Sequence, residues 1–365
     1  MSPSSRCSGP SSCRRTLLPV AALLAALPLL AAPATLPGPD DDWRALQALL
    51  TRDPLPAAAT LRTAAARTAA VQLRAARLQQ AARQAQEFHT RHASNPHAPA
   101  ARKIEVAALI ERARLDADPV SLAQALDRAA SFRADPSLLR EHRFEVALAA
   151  ERLRHQHAKG AQSVAAEEQV ADALRREFGP IPEVHGLYAG LAAAAPMATA
   201  NRLATQLLEM RPAPAVRAAA EAITTRYGLV GRPFTLRLTR LDATAFELPA
   251  KSPAPGPTVL YVWSPGHAPL PGAFAALNRH RGRLPANLQW IYVGVGVPPA
   301  EARAAVARAP FAGVHCRDDA GPRSALAQKL RLTRSPMVFV LNRQGVLTGF
   351  GRVDELPALL AAAGR

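Results

Sequence analysis

Between about Asp40 and Tyr227, apolar side chains recur at intervals of three and four residues among long runs of Ala, Arg, Leu and Glu. This period predicts a series of amphipathic helices. Pro-containing stretches divide the series: "ASNPHAPAA" (93–101), "RADPSLL" (133–139), "FGPIPEV" (178–184) and "MRPAPAV" (210–216). Segments 59–92 and 137–157 are too long and too polar to be anything but helices with one buried face. Phe88, Phe132 and Phe178 each close a predicted helix ahead of such a turn, about 45 residues apart.

Near Gly228 the period changes from helical to alternating. "FTLRLT" (234–239), "AFEL" (245–248), "VLYVW" (259–263), "LQWIYVGV" (288–295), "GVHC" (313–316), "MVFVLN" (337–342) and "GVLTGFG" (345–351) read as strands. Helical segments fall between and after them at 270–283, 299–308, 322–330 and 353–363. A hairpin, a βαβ unit, a further αβα step, a second hairpin and a last helix imply a mixed sheet covered on both faces. The fold class expected is therefore α+β in two domains, all-α helical hairpins over 35–227 and an α/β fold over 228–365.

The first 34 residues stand apart. Arg14 and Arg15 precede an apolar run from Leu17 to Leu30 and a small-x-small site at Ala32-Pro33-Ala34, the layout of an export signal cleaved after Ala34. The run is shorter than the roughly 20 apolar residues that span a bilayer, so a cleaved signal is preferred to an uncleaved anchor. The paired arginines fit both a general and a twin-arginine route. A periplasmic or secreted location follows as the expectation. Cys7 and Cys13 precede the apolar run, so removal of the signal leaves Cys316 as a single thiol with no internal disulfide partner.

The 49% hydrophobic content is that of a folded globular chain. The formal charge of +17, less Arg6, Arg14 and Arg15 of the signal, leaves +14. Such a charge raises nucleic acid as a partner. Export and the scatter of the basic residues along helices, without interleaved aromatics, argue against it. Lysines stand only at 103, 159, 251 and 329, the other cations being arginine. A solvated basic surface, with some attraction to anionic envelope material, is the reading adopted.

From 230 to 365 the chain resembles the TlpA-type thioredoxin-like (redoxin) family. "GRPFTLRLTRLDATAFEL" (231–248) matches that family's leading hairpin, and "SPMVFVLNRQGVL" (335–347) matches its segment around the cis-proline, which places that proline at Pro336. The family's "F-W-A-x-W-C-x-P-C" falls without a gap on "YVWSPGHAPL", so His267 stands at the first cysteine and Leu270 at the second, with Pro269 retained. The resemblance implies a thioredoxin-like fold whose redox pair is absent. The helical half is similar, more distantly, to tetratricopeptide arrays.

Disulfide exchange needs a thiolate to attack and a second thiol to resolve the mixed disulfide. The helix N-terminus that would favour a thiolate disfavours a protonated His267. Leu270 continues with Phe274 and Leu277 along one helix face and reads as core. Cys316 lies beside Asp318 and Asp319, which would hinder its ionisation, so it reads as an incidental thiol rather than a catalytic one. His89 and His92 could share a helix face, but no third ligand accompanies them; His155 and His157 do not share one, and no metal is assigned. Asp40, Asp41 and Asp42 suit a helix start. No cofactor is expected. The functional expectation is an envelope binding or scaffold module for exported proteins or peptides, using His267, Ala268, Pro269, Ser335 and Pro336. The alternative is a TlpA-type thiol-disulfide oxidoreductase working through Cys316 or an external thiol.

Overall fold

A computed structural model describes residues 38–51, 63–156, 161–248, 256–264, 270–307, 309–332 and 335–363. The expected export signal, 1–34, lies outside them. Among the described residues, nine helices come first: α1 (Pro39–Thr51), α2 (Ala64–Arg91), α3 (Ala98–Asp116), α4 (Pro119–Ala134), α5 (Arg140–Arg154), α6 (Ala161–Phe178), α7 (Pro182–Ala194), α8 (Met197–Glu209) and α9 (Pro214–Tyr227). No helix among the described residues is long and apolar enough to cross a membrane.

Local chemistry sets the ends of these helices. Thr63 caps α2 by accepting from the Ala66 amide, and Asp118, followed by Pro119, caps α4 by accepting from the Ser121 amide. Of the phenylalanines expected to close helices, Phe178 ends α6, while Phe88 and Phe132 lie in the last turns of α2 and α4. The carbonyls of Phe88 and Phe132 accept from the amides of His92 and Asp135, and Phe178 is followed by Gly179 in the left-handed region at φ 77°. The 137–157 prediction is trimmed to α5 because Asp135 Oδ1 accepts from the Ser137 amide and hydroxyl, holding a turn ahead of the helix. Consecutive helices pack on one another throughout. The acidic start of α1 does more than complement amides, since Asp42 also pairs with Arg91 at 2.8 Å and His92 at 3.0 Å.

The rest of the chain builds a seven-stranded sheet from β1 (Leu236–Arg240), β2 (Ala245–Leu248), β3 (Thr258–Trp263), β4 (Gln289–Val295), β5 (Val314–Asp318), β6 (Met337–Leu341) and β7 (Leu347–Gly351), in the order β2-β1-β5-β4-β3-β6-β7. β3 and β4 are parallel, as are β4 and β5, whereas β6 runs antiparallel to β3 and to β7. Four helices accompany the strands: α10 (Leu270–Arg279), α11 (Pro299–Val306), α12 (Ala325–Leu330) and α13 (Leu356–Ala363). Three of the expected helices are shorter than read because one end is a 3-10 turn, at 281–283, 321–323 and 353–355.

Alternation along the strands divides the core in two. Leu260, Val262, Met337 and Phe339 face one side, under α12, while Val259, Tyr261, Trp263 and Val338 face the other, under α10 and α13. The helical part completes the first side: Met197, Tyr227, Leu229 and Val230 pack against that core. Arg226, 3% exposed at the end of α9, donates from Nε to the Leu330 carbonyl at 2.7 Å and from Nη2 to the Arg331 carbonyl. Its guanidinium lies 5.4 Å from the Phe350 ring centre. This is the mixed sheet with two covered faces that the alternating pattern implied.

Candidate functional site

All six residues of β3 are buried, in keeping with a β-branched and aromatic segment hydrogen-bonded on both edges. The strand delivers Trp263 into the core beside Phe274, with ring centres 6.3 Å apart. Gly294 of β4 makes room for it: a Cβ there would come 2.8 Å from Val297 Cγ2 and 3.2 Å from Trp263 Cζ2. At the next residue the chain turns polar and half-buried, and the Ser264 amide donates to Ser335 Oγ at 2.7 Å.

Ser335 and Pro336 immediately precede β6, and the peptide bond between them is cis, at the position read as the family's cis-proline. Because Val262 pairs with Met337, the register carries Ser335 alongside the exit of β3. The structure therefore brings Ser335 and Pro336 to the point where β3 leaves the sheet. His267, Ala268 and Pro269 lie outside the described residues. Phe274 and Leu277 are buried on α10 as expected. Ser264 was missed by the sequence reading. Its signal was a lone hydroxyl directly after an unbroken apolar strand.

Cys316 has an environment other than the one read from its neighbours in sequence. It is 3% exposed and pairs with Val293 of β4 and Arg240 of β1, so β5 is an interior strand. Burial pushes its thiol up to about 12, Arg240 opposes the shift and Asp242 adds to it. Asp318 and Asp319, expected to hinder ionisation, are not the cause. The correction follows from registry: cross-strand packing, invisible in a linear reading, supplies the desolvation. A thiol in this state is almost wholly protonated near neutral pH and has no surface from which to attack.

Two of the histidines read as helix surface are hydrogen-bonded to carboxylates instead. His89 Nε2 lies 2.7 Å from buried Glu105 and His92 Nε2 lies 3.0 Å from Asp42, so the two rings are committed to different carboxylates. His155 follows α5 as its C-cap, and His157 lies outside the described residues. His315, on β5 one residue before Cys316, stacks on Tyr292 at 4.6 Å, and burial lowers its pKa.

No family model and no curated protein matches this chain. Among solved structures, it is similar to a thiol-disulfide oxidoreductase from Bacteroides fragilis (17% identity, 35% of this chain and 98% of that one, TM-score 0.30). It is also similar to a secreted Mycobacterium tuberculosis disulfide oxidoreductase (19%, 36% and 96%, TM-score 0.28) and to MTB dsbF (19%, 35% and 94%, TM-score 0.29). The likeness is confined to about a third of the chain.

Proposed function

We propose that this chain is a cell-envelope binding protein in which a thioredoxin-like part has lost thiol-disulfide chemistry and kept a recognition edge. The edge is that of Ser335 and Pro336, to which the resemblance at 261–270 assigns His267, Ala268 and Pro269 as well, and it receives an extended segment of an exported polypeptide. The observation that carries the reading is the state of Cys316. It is the one cysteine outside residues 1–34, and it is sealed between β1 and β4 with its thiol raised. Exchange through Cys316, with or without an external thiol, would require a buried sulfur to reach a disulfide. Recognition of extended backbone by hydrogen bonding needs no sulfur. The envelope location rests on the export-signal pattern at 1–34, and the division into a helical domain and a thioredoxin-like domain on the change of period at Gly228.

The test places a photoreactive residue at position 267 or 335 in cells and, in parallel, measures reduction of a model disulfide. A cross-link to an exported polypeptide, with wild type and Cys316→Ser both equal to the buffer blank, is the expected result. A reduction rate that Cys316→Ser abolishes, or no cross-link from either position, overturns the reading.

A further inference from the structure

The helical part and the sheet part meet around a cavity of about 230 Å³. Its inner wall is built from buried Ala192, Ala195, Ala200, Ala220, Leu207 and Phe350, contributed by α7 and its C-cap, α8, α9 and β7. Ala193 and Ala219, which also line it, are exposed and form its mouth. Two charged side chains border the space. The Arg226 guanidinium donates to the carbonyls of Leu330 and Arg331, while Glu355 accepts from the Arg352 amide at 2.8 Å.

An aliphatic void of about 150 Å³ stays dry and takes up a molecule the size of benzene. Pockets for drug-sized ligands begin at about 300 Å³. This cavity falls between those sizes. Its cation and its anion offset one another, so the lining favours neither charge in a ligand, and the rest of the lining is alkyl side chains, the Met197 thioether, the Gly351 backbone and one aromatic ring. We propose that the cavity is a binding site for a neutral, largely aliphatic molecule of medium length, entering past Ala193 and Ala219. The site lies at the junction and is separate from the Ser335 edge, so it stands whether or not that edge binds polypeptide.

The test uses the full chain with N-phenyl-1-naphthylamine as a fluorescent probe and octan-1-ol, octanoate and octylammonium as competitors. Saturable displacement by octan-1-ol, stronger than by either charged analogue, is expected. Ala200→Leu fills the interior and Ala193→Phe blocks the exposed mouth, and each should weaken displacement by about tenfold. Ala193→Phe, at an exposed position, keeps the test decisive if the interior variant folds poorly. Ala218→Phe, on α9 but outside this lining, should leave displacement unchanged. Non-saturating displacement, equal competition by all three analogues, or equal behaviour of Ala193→Phe and Ala218→Phe would overturn the proposal.

Discussion

Replacing Arg226 with Met keeps most of the buried stem and removes the guanidinium. The losses include the bond to the Leu330 carbonyl at 2.7 Å, the bond to the Arg331 carbonyl, and the contact with the Phe350 ring at 5.4 Å. Hydrogen bonds from a charged donor contribute about 1.5–3 kcal/mol each and a desolvated cation–ring contact about 0.5–2 kcal/mol. These terms share one group and do not add fully, so about 3 kcal/mol is the net expectation. At about 2.1 cal/mol/K of unfolding entropy per residue, in a chain of 365 residues that corresponds to a fall in Tm of about 4 °C. The loss should also be local to the junction. Trp43 belongs to α1, whereas Trp263 and Trp290 belong to the sheet, so a Trp43→Phe background makes tryptophan fluorescence report the sheet. Far-UV dichroism, dominated by α1–α9, reports the helices. In that background the two urea transitions should coincide, and with Arg226→Met they should separate. Arg217→Met, exposed on the same helix, is the control. Unfolding free energies for Arg226→Met within about 0.5 kcal/mol of the parent, by both signals, would refute the claim that this arginine holds the two parts together.

Three further outcomes follow from the sheet. The Cys316 thiol, pushed up to about 12 in the folded chain from an ordinary 9.0, favours the folded state fully below pH 9, and that stability is lost as pH rises through 9 toward 12. Cys316→Ala should flatten this alkaline limb in urea titrations, and native Cys316 should resist a maleimide that labels the unfolded chain; rapid native labelling would contradict its burial. His315, lowered from 6.5, is held neutral, so its contribution is present above pH 6.5 and falls away as protonation begins below it. His315→Phe should reduce the loss of stability between pH 6.5 and 5, and an unchanged acid limb would count against that account. Gly294→Ala should cost about 1–3 kcal/mol in denaturant unfolding, because its Cβ would press on Val297 and Trp263, and a neutral result would show that Trp263 can move aside.

Much of the sheet was legible because its strands carry a strong alternating or all-apolar pattern. β2 was read to the residue, and β3 and β6 to within one, where turn chemistry and proline bound them. Helix ends after position 270 were read too long, since a 3-10 turn such as 281–283 has the composition of a helix and differs only in its hydrogen bonds. At the site, Pro336 was legible from its motif, and the Ser264–Ser335 bond was not, because it joins residues 71 apart. The surroundings of Cys316 were misread for the same reason. Asp318 stands two residues along β5, about 6.6 Å away, whereas Arg240 is the direct cross-strand partner of Cys316, so Asp318 said less about the thiol than Arg240 does. Arg226 carried no signal beyond its place at the end of a helix.

The passage from α9 into β1 has a consequence for how the chain can be cut. The Gly231 amide donates to the Leu347 carbonyl, the Leu347 amide to the Arg232 carbonyl and the Phe234 amide to the Gly345 carbonyl, so the stretch after Gly228 is woven into the second hairpin. A fragment begun at Gly228 would keep those bonds but strip away Met197 and Tyr227, leaving greasy sheet open to water and prone to self-association. The place where composition changes is thus a poor place for scissors, and a soluble short version should start ahead of α8.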